Sequence, residues 1–145
     1  ATNLVVQKAT ELGVAALLPV MTARTNSMPF NPARLAAIAT EAAEQSERLT
    51  LPRLEPPQPL SRLLADWPPD RPLFAAIEHS AASGVPHASG PAGLLVGPEG
   101  GFTEAEQAAL GAHPAVTRVS LGETVLRAET ACIAGLALLQ VPRGR

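Results

Sequence analysis

The chain has 145 residues, 46% of them apolar, which is enough for the core of one globular domain. Eleven lysines and arginines against 13 acids leave a net charge of −2, without the basic excess by which a protein working alone on RNA neutralises phosphates. A single cysteine, Cys132, excludes an intrachain disulfide framework and a cysteine-rich metal site.

No apolar run reaches the roughly 18 residues of a membrane span. The start, Ala1-Thr2-Asn3-Leu4, lacks the basic and apolar segments of a secretory signal, so a cytoplasmic protein with no membrane partner is expected. The missing initial Met points to processing or to an excised piece. Prolines cluster at Pro52, Pro56, Pro57 and Pro59 and again at Pro68, Pro69 and Pro72; these clusters read as connectors between elements.

In chain order, Leu4, Val5, Ala9 and Leu12 recur at helical spacing before Gly13, predicting a helix over Asn3–Leu12 with a glycine stop. Val14–Val20 reads as a buried strand and Met21–Phe30 as a loop. Asn31-Pro32 is an N-cap followed by proline at the first helical position. It opens a helix to about Glu47 with Leu35, Ile38, Ala42 and Ala43 inward. Arg53–Leu54 reads as a very short strand, and Leu60–Asp66 as one or two helical turns. Leu73–Ile77 is a strand, Glu78–Pro91 a small-residue loop and Gly93–Val96 a second strand. Gly97–Gly101 is a sharp turn; Thr103 and Glu106 form a capping box that starts a helix to about Gly111. Val116–Leu121 is a further strand, and Leu126–Val141 a helix apolar on nearly every side, hence buried.

Strands alternating with helices predict an α/β domain with a mostly parallel sheet and helices on both faces. Such sheets bind ligands at the carboxyl ends of their strands, which makes the loops after Ile77, Val96 and Leu121 the candidate site.

Three segments carry chemistry. Gly97-Pro98-Glu99-Gly100-Gly101 joins a strand to a capped helix, either as a tight connection or as a loop whose N–H groups receive a carboxylate or an adenosine edge. It matches neither a Walker A loop nor Gly-x-Gly-x-x-Gly. In Leu121-Gly122-Glu123-Thr124-Val125-Leu126-Arg127-Ala128-Glu129-Thr130, Glu129 suits the positive end of the following helix, whereas Arg127 does not. An acid, a backbone carbonyl or a nucleic-acid phosphate must hold it. Glu41, Gln45 and Arg48 fall on one helical face, a solvated stripe or a contact with a second chain or a substrate. His79, His87 and His113 lack metal-ligand spacing, Cys132 reads as packing, and Trp67 pins a connector.

Gln7-Lys8-Ala9-Thr10-Glu11-Leu12-Gly13-Val14, Glu41-Ala42-Ala43-Glu44-Gln45-Ser46-Glu47-Arg48, Gly97-Pro98-Glu99-Gly100-Gly101-Phe102, and Leu121-Gly122 with Leu126-Arg127-Ala128-Glu129-Thr130-Ala131 stand in one order along the whole chain. Together they resemble the RsmE family of SPOUT methyltransferases, which act on N3 of a uridine in small-subunit ribosomal RNA. The resemblance implies a C-terminal trefoil knot, an exception to unknotted topology. It also implies a homodimer and bound S-adenosylmethionine. Cofactor contacts are expected from Ile77, Val96, Gly97, Pro98, Glu99, Gly100, Gly101, Leu121, Gly122, Val125 and Leu126. RNA or dimer contacts are expected from Arg24, Glu41, Gln45, Arg48, Glu129 and Thr130.

Family members carry an N-terminal RNA-binding domain of PUA type. Its absence from this chain accords with the low positive charge, so the chain reads as the catalytic domain alone. Thr124 stands where the family usually has a basic residue. No metal is required, because a sulfonium methyl needs only an in-line nucleophile. Arg127 is the candidate for charge on a uracil oxygen or for a phosphate, and Glu99 for a base or a cofactor contact. Other RNA targets, namely transfer RNA or a ribose 2′-OH, and a non-catalytic nucleotide-binding module are the alternatives.

Overall fold

The computed structural model describes residues 2–24, 30–77, 87–98, 100–121 and 128–140. It is a mixed α/β fold in which every described strand pairing is parallel.

Helix α1 (Thr2–Glu11) buries Val6, Ala9 and Thr10. This stripe is rotated from the expected one, and Leu4 is left exposed at 40%. Thr10 can sit in the core because its hydroxyl donates to the Val6 carbonyl one turn back, at 2.7 Å. The helix stops at Gly13 as the sequence predicts. Gly13 adopts φ +85°, its N–H bonds the Thr10 carbonyl, and the Val14 N–H bonds the Ala9 carbonyl, a Schellman cap.

Helix α2 (Pro32–Gln45) begins with the Asn31 side chain accepting from the Arg34 N–H and Pro32 in the first turn. Leu35, Ala39, Ala42 and Ala43 are buried, with Ile38 half-buried beside them. Val6, Leu35 and Ala39 form a small core with Leu17, Phe30 and Leu54.

The single strand expected over Val14–Val20 is two short ones, β1 (Ala16–Leu17) and β2 (Val20–Met21), both at most half-buried. They pair with β3 (Arg53–Leu54) and β4 (Gln58–Pro59). The reason lies in the prolines: Pro19 on one side and Pro56-Pro57 on the other remove ladder donors. The pairing resumes past these prolines, where Gln58 donates to the Pro19 carbonyl at 3.1 Å.

Helix α3 (Leu60–Asp66) turns Leu60, Leu63 and Leu64 inward. A three-stranded sheet follows, built from β5 (Leu73–Ala76), β6 (Gly93–Val96) and β7 (Val116–Val119) in the order β6-β5-β7. The central strand β5 is buried at Leu73, Phe74 and Ala75, the near-continuous apolar run of a parallel strand covered on both faces. Leu73, Ala75, Ile77 and Leu95 pack with α3, with Phe102 and with Leu110 of α4 (Glu104–Ala112).

The opposite face receives α5 (Ala128–Leu139), which packs on β6 and α1. Gly135 makes this approach possible: a Cβ there would lie 2.6 Å from the Leu94 side chain. Helices thus cover both faces, as expected. Helix α5 is less enclosed than its composition predicts. Ala131 is buried, whereas Cys132, Ile133, Leu136, Leu138 and Leu139 are only half-buried within one chain.

Candidate functional site

Register defines the site. Ala76, the last residue of β5, stands opposite Val96 of β6 and Val119 of β7. The three strands therefore end level on one edge, and Ile77, Gly97 and Ser120 begin the connections that leave it. Ile77 is buried, and Val96 and Leu121 are half-buried. This is the edge where open parallel sheets take ligands.

The turn leaving β6 is fixed from within. A Cβ on Gly97 would meet the Phe102 ring at 2.9 Å, and Phe102 is 4% exposed in the main core. The ring folds back over Gly97 and closes the turn. The Gly101 N–H donates to the Pro98 carbonyl at 2.8 Å, with Gly101 at φ +75°, a conformation that excludes most side chains. A Cβ at Gly101 would meet nothing within 4 Å, so the turn faces open space at this residue. The predicted capping box is present: Thr103 Oγ1 accepts from the Glu106 N–H at 3.2 Å, and Glu106 Oε1 accepts from the Thr103 N–H at 2.8 Å.

A second set of contacts reaches this turn from far upstream. Glu106 Oε2 accepts from the Ala23 N–H at 3.0 Å. Arg24 Nη1 donates to the Gly100 carbonyl at 2.9 Å and, more weakly, to that of Phe102 at 3.5 Å. The arginine stem lies along the turn, 3.3 Å from where a Gly100 Cβ would stand. Burial by itself would raise the Glu106 pKa; hydrogen bonds from the Thr103 and Ala23 backbones and the Thr103 hydroxyl, with the Arg24 charge, hold it below the ordinary value. The capping box was visible in the sequence, but its junction with Ala23 and Arg24 was not. No local spacing reports a contact between positions 76 residues apart.

The stripe expected of Glu41, Gln45 and Arg48 does not form. Helix α2 ends at Gln45, and Glu47 turns to φ +61°. The Arg48 N–H then bonds the Ala43 carbonyl, and Arg48 Nη1 donates to the Thr10 carbonyl at 3.0 Å. Arg48 thus caps the C-terminal end of α1, where a cation is favoured. Glu41 and Gln45 remain exposed and line a groove of about 300 Å³ with Asn3, Leu4, Gln7, Ile38 and Ala42. Glu129 is half-buried and Thr130 exposed in the first turn of α5. Burial, with a smaller contribution from Glu129, pushes the Cys132 thiol up to about 11. Glu99, Gly122, Thr124, Val125, Leu126 and Arg127 lie outside the described residues.

Fold and site thus define an α/β domain with a glycine turn at the carboxyl edge of a parallel sheet. The family model described as "RNA methyltransferase domain" matches residues 1–140, and the chain belongs to that family. It is 32% identical over 143 residues to the Ribosomal RNA small subunit methyltransferase E of Rickettsia conorii, covering 95% of this chain and 58% of the relative. It is 34% identical over 151 residues to the Bacillus subtilis protein of the same name, covering 93% and 59%.

Among solved structures, the Neisseria gonorrhoeae Ribosomal RNA small subunit methyltransferase E bound to S-adenosyl methionine matches with a TM-score of 0.81 at 34% identity, over 94% of this chain and 58% of that one. A Legionella pneumophila protein in complex with the bound cofactor SAM matches with a TM-score of 0.85 at 32% identity, over 96% and 60%. The chain therefore spans about three fifths of the length of these relatives.

Proposed function

We propose that this chain is the catalytic domain of a methyltransferase that transfers a methyl group from S-adenosylmethionine to N3 of a uridine in small-subunit ribosomal RNA. One observation carries this: three parallel strands end level, and the turn leaving β6 holds Gly101 against open space. Relatives with the same fold are solved with the cofactor bound.

The residues present suit such a ligand. Ile77, Val96 and Leu121 offer apolar surface for an adenine ring, and Gly97, Pro98, Gly100 and Gly101 offer turn backbone, open to its surroundings at Gly101. Glu99, Gly122, Val125 and Leu126, outside the described residues, complete the proposed set. The cofactor supplies a methyl group on a sulfonium, ready for in-line attack. The protein must hold uridine N3 on that line and favour its deprotonated form. Arg127 is assigned to the negative charge that grows on a uracil carbonyl oxygen or to a phosphate, and Glu99 to the N3 proton or to the cofactor. N3 lies on the pairing edge, so the uridine reacts unpaired.

We assign the trefoil knot to the connections around this edge and homodimerisation to α1 and α5. The half-buried apolar residues of α5 and the exposed Leu4 support the second assignment. A chain of net charge −2 grips RNA weakly, so an additional RNA-binding domain is proposed to supply the basic surface. The enzyme is placed in the cytoplasm, where its RNA is; among the described residues, no helix is long and apolar enough to cross a membrane.

The test is methyl transfer to small-subunit ribosomal RNA, followed by nucleoside analysis. The proposal requires 3-methyluridine, at a rate that rises when a family N-terminal domain is fused to the chain. Methylation of a ribose, or of another RNA only, would overturn it.

A further inference from the structure

We propose that the Ala23–Arg24 segment and Glu106 form a latch that presets the Gly97–Phe102 turn for its cofactor, making Arg24 and Glu106 positioning residues. This rests on the reading of that turn as an S-adenosylmethionine site. The turn has glycine at positions 97, 100 and 101, each adding backbone states that must be frozen when a ligand binds. Phe102 fixes its base, because that ring is buried against Gly97. The far side, at Gly100, is held by Arg24 Nη1 on the Gly100 carbonyl at 2.9 Å. The Glu106 carboxylate in turn fixes the backbone just before that arginine through the Ala23 N–H, at 3.0 Å.

The carboxylate is divided between two N–H donors, one on each side of the latch: Thr103 at the start of α4 and Ala23 on the upstream segment. It thereby ties the turn, the helix that follows it and the segment after β2 into one unit. A loop set in its binding geometry beforehand binds more tightly, because less ordering remains to be done. Arg24 therefore acts on the cofactor through the turn, not on RNA phosphates directly.

The experiment is calorimetric titration of the whole chain with S-adenosylmethionine and with its demethylated product, together with thermal melting of each variant. Arg24→Ala should weaken cofactor binding about tenfold, the scale of a lost charge-assisted hydrogen bond. Because Arg24 is exposed, the melting midpoint should move by only a few degrees. Arg24→Lys, which keeps one donor for the Gly100 carbonyl, should recover most of the affinity. Glu106→Gln should weaken binding to a similar degree, since an amide cannot accept from both N–H groups through its two terminal atoms. The double variant should lose less than the product of the single losses, because both act on one latch.

Unchanged cofactor affinity in Arg24→Ala would overturn the latch. Equal losses in the Ala and Lys variants, accompanied by equal drops in melting, would overturn it in favour of general destabilisation. If the unaltered chain binds no cofactor, the underlying site reading fails before any variant is compared.

Discussion

Replacing Gly97 with alanine tests how the site turn is held. The new Cβ would stand 2.9 Å from a Phe102 ring that is 4% exposed and packed with Leu95 and Leu110. The ring cannot swing away without disturbing that core, so the substitution overpacks it, at about 1–3 kcal/mol. For 145 residues the unfolding entropy is about 0.3 kcal/mol/K, so each kcal/mol moves Tm by about 3 °C. A loss of about 2 kcal/mol should therefore appear as a fall of about 7 °C. Phe102→Leu removes the two nearest atoms in the collision, Cε2 and Cζ, while leaving a cavity of its own. The double variant should be less destabilised than the sum of the two by about 1 kcal/mol or more, measured by urea denaturation. Gly101→Ala is the control: it meets no neighbour but carries φ +75°, and should cost about 1–2 kcal/mol whatever stands at position 102. Additivity of Gly97→Ala and Phe102→Leu to within about 0.5 kcal/mol would refute the claim that the ring closes the turn.

Glu47 occupies a left-handed cap position, φ +61°, so Glu47→Gly should stabilise the chain by about 1 kcal/mol; a lowered Tm would contradict the cap. With its thiol pushed up to about 11, Cys132 should carry about a hundredfold less thiolate at neutral pH than a free cysteine. Its alkylation rate should climb tenfold per pH unit up to that value, and a plateau below pH 9 would exclude the shift. The Glu106 pKa is depressed on folding from an ordinary 4.5, so the stability it contributes is present above that pH and lost as pH falls through the lower folded value. Glu106→Gln should flatten this acid limb of the stability curve, and identical acid limbs would show that its hydrogen bonds add nothing.

Local signals carried much of the fold. Asn31-Pro32, Thr103 with Glu106, and Gly13 are instructions that act within a turn or two, and each cap or stop stands where it was expected. The strands Leu73–Ala76 and Gly93–Val96 followed from apolar runs between turn residues, and the very short strand Arg53–Leu54 stands where it was expected. The misplacements arose where tertiary contacts decide. Val14–Val20 looked continuous because periodicity ignores the missing N–H of Pro19. Arg48 was placed on the α2 face because helical spacing cannot show that Glu47 would turn left-handed and send the arginine to Thr10. The buried face of α1 shifted because Thr10 satisfies its hydroxyl internally. At the site, the glycine turn was legible from its composition. The contribution of Arg24 was not, since only folding brings it to Gly100.

The most direct measurement is a crystal structure of this chain grown with saturating S-adenosylmethionine. The account predicts electron density for the cofactor at the carboxyl edge of the β6-β5-β7 sheet, between the loops after Ile77, Val96 and Leu121. The Gly97–Gly101 backbone should be within hydrogen-bond distance of it, and Arg24 still on the Gly100 carbonyl. Density in the α1–α2 groove instead, or an empty sheet edge at saturating cofactor, would contradict it.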